Sequence, residues 1–240
     1  MERMKLPTKS AVAGSLVGGA IGDAMGATFE GLEGLWADSI PSTDSLATSL
    51  HEYHGYPNGQ YTDDTQLTLA TINSIVDQRG VVVRRGVVVR DVARKIAGLW
   101  RNQSVIGPGG ACTQAAERYL ATGEYRDMAA PDGQAGNGTA MRMAALGLRF
   151  GDAHESLVSV VADISRLTHQ DSRSVAGGVV IAMAANQMSS SNDIVPRSVC
   201  TRPLWLFAMS WRENAAVAWV AVCHGFLAAC CWWGGSPSAF

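Results

Sequence analysis

The sequence predicts an all-α protein, because helical periodicity is frequent in it and strand patterns are scarce. Residues 62–78 begin with a threonine suited to a helix N-cap and two acids, and continue with apolar residues that we expect on one broad face. The apolar residues in that range are Leu67, Leu69, Ile72, Ile75 and Val76. Residues 138–150, 155–167 and 172–188 have similar spacing, whereas alternating polar and apolar residues with hairpin turns are rare.

The composition fits one soluble globular domain and excludes several classes of function. The chain has 240 residues, of which 47% are apolar and 17% charged, enough for one substantial core. A formal net charge of −2, with scattered Lys and Arg, provides no basic surface for nucleic acid. The five cysteines are an odd number without paired C-x-x-C spacing, so we expect a cytoplasmic protein rather than a secreted disulfide framework.

The N-terminus resembles a signal peptide only superficially. A basic stretch over residues 1–9 precedes a weakly apolar stretch over residues 11–22. Four glycines interrupt the apolar stretch, and Asp23 follows it at once. We therefore expect this segment to be part of the folded structure.

The sequence RGVVVR occurs twice in succession, at residues 79–84 and 85–90. A repeat of six residues is too short for a solenoid unit. We expect a tandem insertion that lengthens a surface loop, where added length costs little closure entropy. A hairpin of two short strands is the alternative.

The composition changes abruptly from residue 194 onward. This part holds five of the seven tryptophans, four of the five cysteines and three arginines, but only one acid, Glu213. We therefore predict a folded domain over residues 1–193 and an aberrant apolar tail over residues 194–240. Residues 215–233 just reach the length of a membrane-spanning helix. Because nothing upstream is built for a membrane, we expect a buried or aberrant helix there and no membrane association.

The strongest local candidate for chemistry is the segment Tyr61-Thr62-Asp63-Asp64-Thr65. Adjacent carboxylates beside hydroxyls are hard oxygen ligands, which suit Mg²⁺ or Mn²⁺ rather than zinc. The same residues also suit a helix start, with Thr62 as the N-cap and the two acids facing the positive end of the helix dipole. On these residues alone the capping interpretation is favoured, because capped helices far outnumber metal sites.

Three further segments carry weaker signals. Residues 14–26 repeat small residues at helical spacing, which indicates close helix packing, and Glu30 follows between glycines as a mobile acid or a solvated charge. Residues 136–142 (GNGTAMR) place glycines before a helix, either as an anion site or as an ordinary capped loop. Residues 165–169 (SRLTH) place His169 at a loop–helix junction, where a histidine is either structural or in contact with a ligand.

Taken in order, these segments resemble the ADP-ribosylglycohydrolase family. The matching motifs are GGAIGDAMGATFEG, YTDDTQLTLA, GNGTAMR and SRLTH, which together span roughly the first 190 residues. Each motif is modest alone, but the ordered set is specific and outweighs the capping interpretation of Thr62 to Asp64. The resemblance implies a compact, all-α orthogonal multi-helix bundle with two divalent cations at the base of an ADP-ribose cleft.

The resemblance also implies roles for individual positions of this sequence. The metal ligands are expected at Thr62, Asp63 and Asp64, and both aspartates also count as catalytic. The ADP-ribose site is expected along Asn137, Gly138 and Thr139, with His169 near the ligand. Glu30 corresponds to a family acid on a flexible flap, either as acid/base or as a gate.

The function implied is hydrolysis, in which Mg²⁺ or Mn²⁺ assists removal of ADP-ribose from a protein side chain, arginine being the expected acceptor. The expected partner is an ADP-ribosylated protein or a small molecule containing ADP-ribose.

One departure from the family concerns the second cation. Family members carry an Asp-x-Asp motif followed by Thr or Ser near the C-terminus, but this sequence has no aspartate after Asp193. A reading-frame change near Asp193 would explain the shift in composition. We therefore expect weak or absent hydrolysis. The alternatives are a catalytically inactive ADP-ribose-binding or structural relative and, on residues 215–233 alone, a small membrane-anchored protein.

Overall fold

Helices form the regular secondary structure of the protein in a computed structural model that describes residues 9–27, 55–57, 59–76, 85–150 and 154–190. Within these ranges the helices are α1 (Lys9–Gly26), α2 (Asp63–Val76), α3 (Arg85–Arg101), α4 (Gly110–Thr122), α5 (Ala140–Phe150), α6 (His154–Ser165) and α7 (Ser172–Ser190). The described ranges contain no strand, and an isolated β-bridge joins Ala130 to His169. The prediction of an all-α protein is confirmed.

The chain divides into two compact units. The first unit comprises residues 8–62 and 191–240, and the second comprises residues 1–7 and 63–190. The tail predicted over residues 194–240 lies outside the described residues, so the domain boundary at residue 193 stays a prediction. None of the helices that the structure describes is both long enough and apolar enough to cross a membrane.

Helix α1 of the first unit uses small residues on its buried side. Gly14, Gly18 and Gly22, at intervals of four residues, are buried, whereas Val17 and Ile21 are 58% and 53% exposed. Residues four apart lie on the same side of a helix, so the glycines form a flat stripe suited to close packing. This segment is folded, as the sequence predicted.

In the second unit, α5 packs most extensively against α7, and α6 covers both. The closest approach is at Gly147, where a methyl group would lie 2.0 Å from the Ala182 carbonyl oxygen of α7. The Asn186 side chain donates to the Gly147 carbonyl at 2.9 Å and is itself 1% exposed. Only glycine fits at this crossing, because any side chain would push the two helices apart.

Helix α2 begins and ends close to the predicted bounds, but its predicted apolar face is wrong. Leu67 is fully buried, whereas Leu69 and Val76 are 39% and 54% exposed. Side chains two positions apart diverge by about 200° around a helix, so Leu67 and Leu69 have opposite orientations. The buried face continues instead through Ala70, Thr71 and Ser74, and the hydroxyls of the latter two donate to carbonyls four residues earlier.

The second copy of the repeat is helical, which overturns the predicted surface loop. Residues 85–90 form the first turns of α3, and Val88 and Val89 are 2% and 6% exposed within the core. Burial recurs at Val92 and Ala93, one turn later. The valines are therefore retained by packing on the helical period, which outweighs their preference for strands. The first copy lies outside the described residues.

The other predicted helices are confirmed within a few residues as α5, α6 and α7. Helices α3 and α4 were not predicted. Helix α4 is followed by the C-cap residue Gly123, whose φ of 74° is left-handed and whose N–H donates to the Tyr119 carbonyl at 2.7 Å. Such an ending favours glycine, because other residues are strained there.

Replacing Gly147 with alanine tests the helix crossing. We expect Gly147→Ala to lower the free energy of unfolding by roughly 2–3 kcal/mol, because the methyl group would overlap the backbone of α7. Gly98→Ala, in α3, is the matched control. No atom lies within 4 Å of the added methyl group there, and the change should stabilise by about 0.5–1 kcal/mol through helix propensity. Urea unfolding of both variants measures the difference, and equal effects would contradict the crossing.

Candidate functional site

In the first unit, a buried carboxylate on α1 holds the threonine of the TDDT motif. The Thr62 backbone N–H donates to Asp23 Oδ2 at 2.9 Å, and the Thr62 hydroxyl donates to Asp23 Oδ1 at 2.6 Å. Both residues are 2% exposed. Because the hydroxyl donates its proton to Asp23, the lone pairs of Thr62 Oγ1 stay available to an electron-pair acceptor.

In the second unit, the two aspartates occupy the first turn of α2. Asp63 is 4% exposed, and its backbone N–H donates to the Ile106 carbonyl at 2.8 Å. The Gln66 side chain also contacts the loop of residues 104–106. It donates to the Ser104 carbonyl at 2.8 Å and accepts from the Ile106 N–H at 2.9 Å. The helix start that carries the carboxylates is therefore fixed by residues 104–106.

The GNG loop is pinned by a serine at the start of α7. The Ser174 hydroxyl accepts from the Gly136 N–H and donates to the Gly136 carbonyl, each at 2.9 Å. The Thr139 hydroxyl donates to the Ser174 carbonyl, and Thr139 is fully buried. Thr139 thus uses its donor inside the protein, whereas Asn137 is partly exposed.

His169 packs with its ring edge against the same loop. A methyl group added at Gly136 would lie 3.0 Å from His169 Nε2, and one added at Gly138 would lie 2.7 Å from His169 Cε1. The Cys112 sulfur would be 2.9 Å from that second methyl group. The loop therefore needs glycine at both positions, because a histidine ring and a thiol occupy the space of a side chain.

Arg142, two residues into α5, is a fully buried cation. Its Nη2 donates to the Thr168 hydroxyl at 2.8 Å and to the Ile164 carbonyl at 3.2 Å, and the guanidinium also interacts with the Cys112 sulfur. Burial lowers the pKa of Arg142, and the negative charge of Asp63 opposes that effect. The aspartate of α2 and the arginine of α5 are thus close enough to interact electrostatically.

Burial keeps the His169 ring and the Cys112 thiol uncharged at neutral pH. It lowers the pKa of His169 to about 4, with the Arg142 charge adding to the effect, and it raises the pKa of Cys112 to about 12. A thiol and an imidazole in these states cannot act as a nucleophile and its base at neutral pH. The cysteine is a packing residue here.

The structure brings together some of the predicted site residues. Gly138 and His169 are neighbours, and Asp63 lies within electrostatic range of the arginine that follows the GNG loop. Glu30 lies outside the described residues. Within the described part of the chain, no cluster of three or more His, Cys, Asp or Glu side chains is arranged to hold a metal ion.

Sequence reasoning missed Asp23 in the first unit and three residues in the second unit, Cys112, Arg142 and Ser174. The sequence did contain a signal for Asp23, because an acid among the small apolar residues of a helix is expected either in a buried polar contact or at the border of the buried face. Arg142 lies only four residues beyond the GNG triplet, but an arginine is normally exposed. Cys112 and Ser174 carried no signal, because their role comes from tertiary contact alone.

The stability of the second unit should depend on pH through His169. The unfolded state takes up the proton near pH 6.5 and the folded state near 4, so stability is lost as the pH falls through that window. The loss should be on the order of 3 kcal/mol, from the difference between the two pKa values. Chemical unfolding at several pH values measures it, and His169→Gln should flatten the dependence.

Asp171→Asn is the control for that measurement. Its hydrogen bonds from Arg173 lower the pKa of Asp171 to about 2, so its contribution is lost only as the pH falls from 3.8 towards that value. The variant should reduce stability at pH 7 but keep the slope between pH 4 and 6.5. A wild-type protein with constant stability across that window would contradict the burial of a neutral His169.

Comparison with known proteins identifies the family. The family profile described as ADP-ribosylglycohydrolase matches residues 4–224, which extends beyond the predicted boundary at residue 193. The chain is 27% identical over 197 residues to "ADP-ribosylhydrolase ARH3" of Gallus gallus, covering 75% of this chain and 50% of that protein. The corresponding protein of Xenopus tropicalis is 25% identical over 187 residues, covering 72% of this chain and 49% of that protein.

The chain thus spans about half the length of the curated relatives it matches. A solved structure described as "ADP-ribosylglycohydrolase-related protein complex" has the same fold, with a TM-score of 0.63 and 23% sequence identity over 92% of this chain and 87% of that one. Since the family profile covers most of the sequence, the chain belongs to the ADP-ribosylglycohydrolase family.

Proposed function

We propose that this chain binds ADP-ribose and, with a bound Mg²⁺ or Mn²⁺, hydrolyses the bond between ADP-ribose and a modified protein side chain. The observation that carries the proposal is the assembly, within the second unit, of the GNG loop, His169 and Arg142 in electrostatic range of Asp63. Family membership and the two ADP-ribosylhydrolase relatives support it. Arginine is the acceptor residue we propose.

The ADP-ribose would bind along the GNG loop. Among the described residues, the N–H groups of Asn137, Gly138 and Thr139 have no recorded acceptor, whereas the Gly136 N–H is held by Ser174. Backbone N–H groups ahead of a helix favour negatively charged oxygens such as those of a diphosphate. Because the loop is already fixed by Ser174, little ordering would be required on binding.

The residues that would hold the cation are Thr62, Asp63 and Asp64. Their donor set is a hydroxyl and two carboxylates, which fits a hard cation that keeps several waters. The contacts of Asp23 with Thr62 leave the hydroxyl oxygen able to accept, which also fits. When bound, the cation would supply Lewis-acid stabilisation of charge at the scissile bond.

The chain's own residues would position the substrate. The loop of residues 136–139 would hold the diphosphate, and the backbone contact of Asp63 with Ile106 would keep the start of α2 in place during turnover. Holding both reacting partners in one geometry removes much of the entropic part of the barrier. Glu30 would act as acid/base or as a gate.

A second candidate is an inactive relative that binds ADP-ribose without hydrolysing it. It is favoured by the composition of the proposed cation site, in which only Asp63 and Asp64 are anionic, whereas two adjacent cations need several anionic ligands to offset their repulsion. Binding and turnover measurements separate the two candidates.

Hydrolysis is tested with two ADP-ribosylated peptides, one linked through arginine and one through serine, at millimolar Mg²⁺ or Mn²⁺. We expect slow release of ADP-ribose from the arginine peptide, abolished by chelation and reduced more than about 100-fold by Asp63→Asn. Glu117→Gln, which removes an exposed acid on α4, should leave the rate unchanged. Turnover that persists in Asp63→Asn would refute the metal assignment, and preference for the serine peptide would refute the acceptor.

Binding is tested by calorimetry with free ADP-ribose. Asn137→Ala should weaken binding by about tenfold, the size of one or two lost hydrogen bonds. Asn102→Ala, an exposed asparagine in the loop after α3, is the matched control and should bind like the wild type. Binding by the wild type without any turnover would select the inactive relative, and equal affinity in both variants would remove Asn137 from the site.

A further inference from the structure

The two nitrogens of His169 lie in different surroundings. Nδ1 is 2.9 Å from the Thr168 hydroxyl oxygen. The opposite edge, with Nε2 and Cε1, faces Gly136 and Gly138 of the ligand loop. A 180° flip of this buried ring would put Cδ2 in place of Nδ1 beside the Thr168 hydroxyl and lose that hydrogen bond, so the observed orientation of the two edges is favoured.

Arg142 determines the direction of the hydrogen bonds at Thr168. Its Nη2 lies 2.8 Å from the Thr168 hydroxyl oxygen, and Thr168 is fully buried. A guanidinium is always a donor, so the threonine oxygen must accept from it. The hydroxyl proton of Thr168 is then left for a different acceptor.

Two acceptors compete for that proton, and His169 Nδ1 has the better geometry. Nδ1 lies at 2.9 Å, whereas the Ser165 carbonyl oxygen lies at 3.4 Å. The same carbonyl already accepts from the backbone N–H groups of Thr168 and His169, both at 3.1 Å. A shorter bond to a nitrogen with an uncommitted lone pair is preferred over a long third bond to a carbonyl.

The His169 ring is neutral at pH 7 while its Nδ1 accepts this hydrogen bond. Burial and the nearby Arg142 charge lower the pKa of His169 to about 4, so the ring carries a single N–H proton at pH 7. If Nδ1 accepts from Thr168, that proton must be on Nε2. Within the described residues, Nε2 has no recorded acceptor of its own.

We propose that Arg142 and Thr168 are positioning residues that hold His169 as its Nε2–H tautomer, so that the ring presents a fixed hydrogen-bond donor at the Gly136–Gly138 loop. The ligand group it selects is an acceptor oxygen, such as a diphosphate or ribose oxygen, and not an N–H. The identity of that ligand as ADP-ribose rests on the function proposed above. The tautomer itself does not depend on it.

The tautomer is measured directly in the ligand-free full chain. A long-range ¹H–¹⁵N correlation spectrum of ¹⁵N-labelled protein at pH 7 distinguishes protonated from unprotonated ring nitrogens. His169→Gln identifies the signals by their loss. We expect Nε2 protonated and Nδ1 unprotonated, and a protonated Nδ1 would overturn the inference.

Two variants at Thr168 test this relay, in which Arg142 acts through the Thr168 hydroxyl to set which nitrogen of His169 is protonated. Thr168→Val keeps the shape but removes the hydroxyl, so the Nδ1–H form should appear in the spectrum, and ADP-ribose affinity should fall about fivefold to tenfold. Thr168→Ser keeps the hydroxyl and should retain the wild-type tautomer and affinity. A valine variant with only the Nε2–H form and wild-type affinity would show that Thr168 does not set the tautomer.

These outcomes separate the two proposals. If the wild type shows the Nε2–H tautomer but does not bind ADP-ribose, the proposed function fails and the relay stands. If it binds ADP-ribose but shows the Nδ1–H form, the relay fails and the proposed function stands. Should Thr168→Val not fold, the wild-type spectrum alone decides.

Discussion

The burial of the Arg142 guanidinium is the constraint on which the second unit depends. Removing a cation from water costs several kcal/mol, which only good hydrogen bonds and an opposing charge offset. Here the offset comes from the Ile164 carbonyl, the Thr168 hydroxyl and the charge of Asp63. Because these groups belong to α6, the loop before α7 and α2, one side chain ties together three elements that meet α5.

That offset is incomplete, and this matters for the site. In the described part of the chain, Arg142 Nε and Nη1 are buried without a hydrogen-bond partner of normal geometry. Buried donors left unsatisfied cost free energy, so each of them in a native structure calls for a physical explanation. Arg142 interacts with Cys112, which together with His169 packs against Gly138 of the loop proposed to bind the ligand.

The sequence predicted the elements better than it predicted their contacts. The helices with regular periodicity were found because a buried stripe repeats every three to four residues. The apolar face of α2 was wrong because Leu67 and Leu69 were grouped by hydrophobicity rather than by angle around the helix. The second RGVVVR copy was misjudged because a literal repeat indicates an insertion, whereas the core accepted its valines on a helical period.

In the candidate site, too, the motifs were predictable from the sequence and the tertiary contacts were not. Motifs that lie within one stretch of chain, such as the TDDT run and the GNG loop, are visible in the sequence because spacing and residue type carry the signal. The contacts of Asp23 with Thr62, and of Ser174 with Gly136, join residues 39 and 38 positions apart. One sequence does not reveal such pairings: Asp23 stands out within its helix, but nothing in the sequence identifies Thr62 as its partner, and Ser174 is an ordinary serine.

The protonation states of the groups beside the GNG loop separate two effects of pH, one on ligand binding and one on the stability of the fold. A profile of activity against pH would not distinguish the two effects. His169 and Cys112 are both neutral near pH 7, so the ring and the thiol contribute no change of charge where histidines normally titrate. A hydrogen-bond donor on a neutral ring keeps the same strength from pH 7 down to the point where the ring is protonated. The stability of the fold changes first on acidification, because His169 is protonated in the unfolded chain at a pH at which the buried ring is still neutral. Loss of ligand binding in mild acid would therefore follow the unfolded fraction, and a folded population at that pH should bind as it does at neutrality.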